Sequence, residues 1–196
     1  MENDIRVERT INSLRCAFVK LLDEVPAYSI SVTSLTRNAK VSRVTFYIHY
    51  SDMTDFIDKF CDHVMKSITW PFGKELNLFN IDNARLIFHK QINAVKENAH
   101  ILRALLSENG PEHFWDEFMN MISNEYRENI YKHKKDRYID EEEMTFLTQY
   151  ISSGELQMIT EWIKKDSIEP TEKMVERIIN YTYKGVFTFL GIMDGN

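Results

Sequence analysis

Residues 31–56 constrain the fold more than any other stretch of this chain, because side chains suited to a core recur there at helical spacing around a short turn. Two of them, Phe46 and Tyr50, are four residues apart and lie on one helical face. The anchor positions are Val32, Leu35, Thr36, Val41, Phe46 and Tyr50. This spacing predicts a short helix, a tight turn, a second short helix and the start of a third, all sharing one small core.

The second short helix carries small side chains, one cation and two aromatic rings with polar tips between those anchors. These residues are Ser42, Arg43, Val44, Thr45, Tyr47 and His49. Such a composition is typical of a helix that enters a DNA groove, with base-reading side chains flanked by groups that contact phosphate. The segment therefore predicts DNA as a partner, and no other part of the chain points to a partner as directly.

The net charge of −6 is distributed unevenly along the chain. Residues 1–50 hold seven Lys/Arg against five Asp/Glu, whereas residues 51–196 hold seventeen against twenty-five. A phosphate-binding surface requires cations on one face and does not require a basic protein as a whole. The acidic balance is therefore compatible with DNA binding by the N-terminal part.

The low glycine and proline content favours an all-helical protein. The chain has 6 Gly and 4 Pro among 196 residues, and 43% of its residues are hydrophobic, which is enough for a packed core. Ser31 and Ser42 are suited to cap the two short helices. The helical periodicity is interrupted at residues 25–28, 70–73, 109–111, 133–137 and 167–171. We predict about nine helices.

Residue types used in metal, redox or covalent chemistry are present without the spacing that such chemistry needs. Cys16 and Cys61 lie in apolar stripes and are predicted to be core fillers in a reducing cytoplasm. His63, His100 and His113 form no metal-ligand pattern. The sequence has no glycine-rich phosphate loop, no nucleophile or zinc-protease motif and no run of about 18 apolar residues. We predict a cytoplasmic protein that is not an enzyme, holds no cofactor or metal and has no membrane partner.

The N-terminal fifty residues resemble the DNA-binding domain of the TetR family of helix-turn-helix transcriptional regulators (TetR/AcrR type). The matching positions are in register without gaps, and they are Ser31, Val32, Leu35, Ala39, Val41, Ser42, Tyr47, His49, Tyr50 and Phe56. The family usually has glycine where this chain has Lys40 and Val44, alanine in place of Thr36, and lysine in place of Met53. Downstream, residues 103–110 and the positions of Gly154, Ile159 and Trp162 are similar to further family motifs.

The resemblance implies an all-α fold in two domains. Residues 1–50 would form a three-helix DNA-binding domain, and residues 51–196 a helical ligand-binding and dimerisation domain. It also implies a regulator that binds palindromic double-stranded operator DNA as a homodimer and is controlled by an effector in the second domain. The helix that begins near Ser51 joins the domains and would transmit the signal by changing the spacing of the two recognition helices.

The resemblance places the second short helix in the major groove. Arg43, Val44 and Thr45 would face the base edges, where Arg43 can donate to guanine and the other two can meet a thymine methyl group. The alternative for Arg43 is pairing with phosphate. The full set of candidate DNA-binding residues is Ser31, Thr33, Arg37, Lys40, Ser42, Arg43, Val44, Thr45, Tyr47 and His49.

A homodimer is implied because one recognition helix makes few base contacts. The last two helices, at about 140–165 and 171–191, would form a four-helix interface across a two-fold axis. They carry many apolar side chains, namely Met144, Leu147, Ile151, Met158, Ile159, Met174, Ile178, Tyr181, Tyr183, Val186, Phe187 and Leu190. The alternative is that these side chains belong to the core of a single chain.

The effector is expected to be a small hydrophobic molecule, because aromatic and methionine side chains around a helical cavity suit such a ligand. The candidate ligand-binding residues are Phe60, Val64, Phe88, Ile92, Trp115, Phe118, Met121, Ile122 and Tyr126. Three alternatives stay open: these residues are ordinary core, the protein is a regulator or activator controlled by a protein partner, or it has lost DNA binding. An enclosed cavity would favour the small molecule, and a solidly packed middle would favour the protein partner.

Overall fold

The structure is a computed structural model that describes residues 2–68, 80–133, 138–165, 169–182 and 185, with side chains from residue 5. Within these ranges every regular element is a helix, which confirms the predicted all-α fold. A single 3-10 turn spans Ala27–Ser29. The nine α-helices there are α1 (Glu2–Leu22), α2 (Val32–Ala39), α3 (Arg43–His49), α4 (Met53–Ile68), α5 (Ile81–Glu97), α6 (Ala99–Leu105), α7 (Glu112–His133), α8 (Glu141–Lys164) and α9 (Thr171–Tyr181).

Side-chain caps begin α2 and α3, as the sequence predicts for Ser31 and Ser42. The Ser31 hydroxyl accepts a hydrogen bond from the Ser34 amide at 3.1 Å, and the Ser34 hydroxyl accepts one from the Ser31 amide. The Ser42 hydroxyl accepts from the Thr45 amide at 3.0 Å. Each cap satisfies a backbone N–H that has no partner inside its helix, which fixes where the short helices α2 and α3 start.

The chain divides into two compact units. The first contains residues 1–65 and 100–114, and the second contains residues 66–99 and 115–196. The first unit thus includes most of α4 and α6 in addition to the three predicted N-terminal helices. The functional boundary between residues 50 and 51 stays a prediction, because compactness by itself does not locate a function.

Five aromatic side chains form the core of the first unit. Phe18, Phe46 and Phe56 have no exposed surface, and Tyr50 and Phe60 are nearly as deeply buried. The Phe56 ring contacts Phe18 and Tyr50 edge-on, with centroids 5.4 and 5.0 Å apart. Such edge contacts add to the hydrophobic burial of each ring. Because Phe46 lies on α3 and Phe56 on α4, this cluster holds α3 at a fixed place.

The loop before α7 is a close approach of backbone that only glycine allows. A Cβ atom at Gly110 would lie 2.0 Å from the Leu105 carbonyl oxygen. The neighbouring Asn109 side chain donates to the Leu22 carbonyl at 2.9 Å. The predicted stop and restart at residues 109–111 is confirmed, since α6 ends at Leu105 and α7 begins immediately after Pro111.

The second unit buries much of the surface that the sequence assigned to dimerisation. Five of those side chains are at most 4% exposed within the single chain: Met144, Ile151, Ile159, Met174 and Ile178. These five side chains therefore fit the alternative that they belong to the core of a single chain, and a homodimer through the last two helices stays a prediction. Leu147 and Met158 are partly exposed and Tyr181 is exposed. The remaining members, Tyr183, Val186, Phe187 and Leu190, lie outside the described residues, as do the predicted break at 70–73 and most of the break at 133–137.

Candidate nucleic-acid interface

Helices α2 and α3 form a helix-turn-helix. Helix α2 ends at Ala39, residues 40–42 make the turn, and α3 starts at Arg43. The Val41 amide donates to the Thr36 carbonyl at 3.0 Å, which closes the end of α2. A three-residue turn between two short helices is the geometry of DNA-binding motifs of this type. The predicted arrangement of helix, tight turn and helix is confirmed.

Lys40 adopts a left-handed backbone conformation in the turn. Its φ and ψ are 55° and 38°, and its amide donates to the Arg37 carbonyl at 3.2 Å. Among the non-glycine residues that the structure describes, it alone has a positive φ. Glycine is favoured at this position because a Cβ is strained in the left-handed region. Lys40 thus keeps a strained conformation, and it places a cation three residues before the start of α3.

Lys40→Gly is expected to raise the free energy of unfolding by about 1 kcal/mol, since it removes the strain of the Cβ. It should also weaken DNA binding, because it removes a cation. The slope of log affinity against log salt concentration should decrease by about 1, as expected for the loss of one phosphate contact. Urea denaturation and salt-titrated DNA binding measure the two effects. Lys40→Ala is the matched control, which should lose the same contact without the gain in stability. Equal stabilities of the two variants would contradict the strain assignment.

The outer face of α3 presents a mixed polar and apolar surface. Arg43 is exposed, and Val44, Tyr47 and Ile48 are 74%, 50% and 71% exposed. Thr45 points elsewhere, because its hydroxyl lies 2.7 Å from the Ser42 hydroxyl and its amide donates to the same group. The side chains available to a partner on this helix are therefore one cation, one phenol and two aliphatic groups.

Ile48 is a member of this surface that the sequence reasoning missed. It lies four residues after Val44, so the two side chains are neighbours on one helical face. Helical spacing could have identified it, because Ile48 lies two residues from both Phe46 and Tyr50 and so faces away from the side of α3 that they bury. A large aliphatic residue is usually taken for core, and this one is open to solvent because Phe46 and Tyr50 already fill the core beneath α3.

The remaining predicted DNA-binding residues lie on or beside the same motif. Thr33 and Arg37 are exposed one turn apart on α2, and His49 is half-buried at the end of α3. The hydroxyls of Ser31 and Ser42 are exposed and serve as caps. The structure thus brings all ten candidates together on α2, the turn and α3, and their role in DNA binding stays a prediction.

The segment that contains the motif, Val25 to Ser51, carries no carboxylate side chain of its own. From Val25 to Ser51 the sequence holds three Lys/Arg and no Asp or Glu, although the whole chain has 30 acidic residues. Arg37, Lys40 and Arg43 are all exposed. A run with this balance creates a positive local potential on a protein whose net charge is negative.

The start of α4 has the opposite character. The Asp52 carboxylate accepts from the Asp55 amide at 2.9 Å, and the Asp55 carboxylate accepts from Lys59 and from the Ser51 amide. These two hydrogen bonds hold the pKa of Asp55 below its usual value. Carboxylates therefore occupy the position near Met53, where the family usually has a lysine, and they disfavour phosphate there.

The predicted ligand-binding residues are packed inside their own units. Phe60 and Val64 are buried in the first unit, and Trp115 and Met121 are partly exposed in the second. The other five, also in the second unit, are at most 4% exposed: Phe88, Ile92, Phe118, Ile122 and Tyr126. A cleft of about 720 Å³ in the second unit is lined instead by residues of α8 and α9 such as Trp162 and Met174. The ligand assignment stays a prediction.

Polar groups are buried beside those residues in the second unit, and the hydrophobic pattern did not reveal them. Gln91 on α5 is 7% exposed, and its carbonyl oxygen has no hydrogen-bond partner among the described residues. On α8, the Glu155 carboxyl is 2% exposed and accepts from the Tyr126 hydroxyl at 2.7 Å. Burial raises the pKa of Glu155 to about 7, and the Tyr126 hydrogen bond opposes that shift.

Glu155→Gln is expected to remove a pH dependence of stability. The folded protein holds the Glu155 proton up to pH about 7 and the unfolded chain releases it near 4.5, so the native state is destabilised as pH rises between these values. The loss is on the order of 3 kcal/mol. Urea denaturation at pH 5 and pH 8 should show that the free energy of unfolding of the variant, relative to that of the wild type, is larger at the higher pH. Parallel pH profiles would show that Glu155 does not titrate in this way.

No helix in the described ranges is long and apolar enough to cross a membrane. The same residues contain no group of three or more His, Cys, Asp or Glu side chains that could hold a metal ion.

Comparison with known proteins decides the family. Residues 82–184, more than half of the chain, match the TetR_C_8 family, described as the transcriptional regulator C-terminal region. The chain belongs to the TetR family. The match lies downstream of the helix-turn-helix, so it supports the resemblance of the N-terminal motif independently. No curated protein sequence matches the chain.

Solved structures show the same TetR fold. The TetR transcriptional regulator from Streptococcus agalactiae 2603V is 21% identical, with a TM-score of 0.60 over 91% of this chain and 96% of that one. The fatty acid degradation regulator FadR from Bacillus halodurans is 14% identical, with a TM-score of 0.61 over 90% and 96%. The dihydroxyacetone kinase operon activator DhaS is 18% identical, with a TM-score of 0.56 over 87% and 92%. At these identities the likeness concerns the fold.

Proposed function

We propose that this TetR-family regulator binds palindromic operator DNA as a homodimer through α2, the turn and α3. The observation that carries the proposal is the outer face of α3, where Arg43, Val44, Tyr47 and Ile48 are exposed on a helix anchored by buried Phe46. Because Phe46 anchors the buried side of α3, the exposed side chains on its outer face can contact base edges in the major groove without rearrangement of the helix. The absence of Asp and Glu from the segment Val25 to Ser51, which holds three Lys/Arg, supports the phosphate contacts.

Selection of bound DNA from random sequence with the purified protein tests this function. We expect a palindrome, because a two-fold dimer presents two identical motifs. Arg43→Ala and Tyr47→Ala should each weaken binding to the selected site by about 10- to 100-fold. Arg103→Ala on α6 and Tyr138→Ala are matched controls with exposed side chains elsewhere, and they should leave the affinity unchanged. Failure to recover any site would sink the proposal.

We place the contact of the proposed dimer on the outward face of α8, because the five buried side chains of α8 and α9 described above are already covered by their own chain. Phe146 and Tyr150 are 63% and 72% exposed, and Gly154 and Gln157 continue the same face at helical spacing. No described residue comes within 4 Å of a Cβ built at Gly154. Glycine destabilises a helix interior by about 1 kcal/mol relative to alanine, and no contact with the described residues explains its presence here.

A second copy of α8 crossing at Gly154 accounts for the glycine and the exposed rings. Small residues let two helix backbones approach closely. In an antiparallel crossing about a two-fold axis at Gly154, Glu143 and Lys165 are equally far from the axis, so Glu143 meets the partner's Lys165. In this crossing the acidic first turn of α8 in one copy lies opposite the basic end of α8 in the other, so their charges are complementary. We assign the dimer contact to this face.

Effector control in the C-terminal domain is part of the same proposal. The unpartnered Gln91 carbonyl lies on the buried face of α5 between Phe88 and Ile92, two predicted ligand residues. A buried acceptor without a donor is destabilising, so an apolar effector that carries an N–H or O–H would satisfy it. A compound that raises the melting temperature of the wild type and not of Gln91→Leu would support the site. If no small compound raises the melting temperature of the wild type and a protein co-regulator does, the alternative of control by a protein partner holds.

A further inference from the structure

We infer that α3 reads thymine methyl groups through the pair Val44 and Ile48, so that each operator half-site contains thymines within about two base steps of one another. The inference rests on the proposed DNA-binding function and specifies the base edges that the same helix recognises. It concerns one side-chain pair on α3, and the pair is defined by exposure and spacing.

The first step is that neither side chain belongs to the hydrophobic core. Val44 and Ile48 are 74% and 71% exposed, whereas Phe46 and Tyr50 are 0% and 6% exposed beneath the same helix. β-branched residues also have lower helix propensity than alanine, and α3 is only seven residues long. Two exposed β-branched residues in so short a helix therefore suit a partner better than they suit the fold.

The second step is that the partner presents both charge and isolated apolar groups. Cationic Lys40 and Arg43 precede the pair in the chain, and the segment Val25 to Ser51 has no carboxylate of its own, which favours a polyanion over an apolar protein surface. In the major groove of DNA the apolar feature on the base edges is the C5-methyl group of thymine. The groove otherwise offers hydrogen-bonding groups, which valine and isoleucine cannot use.

The third step is spacing. Side chains four residues apart on a helix have Cβ atoms about 5–6 Å apart. Successive bases on one strand rise by about 3.4 Å, so the pair spans about two base steps when α3 lies along the groove. The Thr45 hydroxyl is already engaged with Ser42, so it is not free to bond to a base edge. Arg43 is left as the neighbouring group able to bind guanine, which predicts a half-site of thymines next to a G·C pair.

Deoxyuridine substitution tests the methyl contact directly. Uracil pairs as thymine does and lacks only the methyl group, so each thymine of the selected operator is replaced in turn and the dissociation constant is measured. We expect two neighbouring positions in each half-site at which binding weakens about fourfold, the effect of removing one buried carbon. The other thymines should tolerate the replacement.

Variant proteins assign those positions to the two residues. Ile48→Ala should weaken binding to thymine-containing DNA and should no longer distinguish thymine from uracil at one sensitive position, and Val44→Ala should do so at the other. Ile81→Ala, an exposed isoleucine at the start of α5, should keep the full discrimination. Circular dichroism melting confirms that the exposed substitutions leave the fold intact.

The outcomes separate this inference from the function beneath it. If no operator is recovered, the proposed function itself fails. If an operator is bound and uracil is tolerated at every thymine, only the methyl reading is overturned. Retained discrimination in both alanine variants would also overturn it. An unchanged affinity for DNA in both variants, with loss of a protein partner instead, would reassign the pair to a protein contact.

Discussion

Gly154→Trp is expected to convert the dimer into monomers and to weaken operator binding at least about 100-fold. The large ring would occupy the place where we propose that two copies of α8 cross. A Cβ atom at Gly154 meets no described atom of its own chain within 4 Å, and residue 154 is exposed, so the fold should survive. The loss of DNA affinity follows because a dimer gains avidity from its second recognition helix. Sedimentation velocity measures the association, and titration of a palindromic operator measures the affinity.

Two controls accompany this substitution. Glu97→Trp adds the same ring at an exposed position on α5 and should leave the dimer intact. Glu143→Lys should weaken the dimer, and the double variant Glu143→Lys, Lys165→Glu should restore it, because the swap recovers opposite charges across the axis. A dimer that tolerates Gly154→Trp would place the interface on another surface while leaving DNA binding in place.

Phe56→Ala is expected to lower the free energy of unfolding of the first unit by about 3–5 kcal/mol. The Phe56 ring contacts Phe18, Phe46, Tyr50 and Phe60, and it has no exposed surface. Its removal leaves a cavity that the surrounding rings cannot fill without moving α3. Operator binding at 37 °C should therefore fall together with stability.

Urea denaturation followed by circular dichroism measures this loss, and hydrogen exchange locates it in residues 1–65. Tyr28→Ala is the control, since that ring is 82% exposed in the same unit and its removal should change stability by less than about 0.5 kcal/mol. A change below about 1 kcal/mol for Phe56→Ala would mean that the aromatic cluster does not hold the first unit together.

Local interactions made the N-terminal motif predictable. Ser31 and Ser42 bond to amides three residues away, and Phe46 and Tyr50 recur at helical spacing, so nearby sequence is enough to define α2, the turn and α3. The left-handed conformation of Lys40 was also foreseeable, because the family usually has glycine there. The exposure of Ile48 was not foreseen, since it depends on which neighbours already fill the core.

Periodicity could not distinguish the covered faces of α8 from the exposed one, for a physical reason. Helix α8 carries large apolar or aromatic residues on several sides, with Met144 and Ile151 on one and Phe146 and Tyr150 on another. Periodicity shows that such faces exist and does not show which one the rest of the chain covers. The tertiary structure buries the first pair and leaves the second exposed.

The sequence by itself determined the helical class, the family resemblance and the helix-turn-helix, because caps, turns and spacing act over a few residues. Only the tertiary structure decided which side chains face outward on α3 and α8 and which polar groups are enclosed. Glu155 and Gln91 illustrate the difference, since a glutamate or glutamine in a sequence gives no sign of burial. Burial depends on packing between distant segments, and that packing both raises the pKa of Glu155 and decides which side chains of α3 and α8 stay exposed.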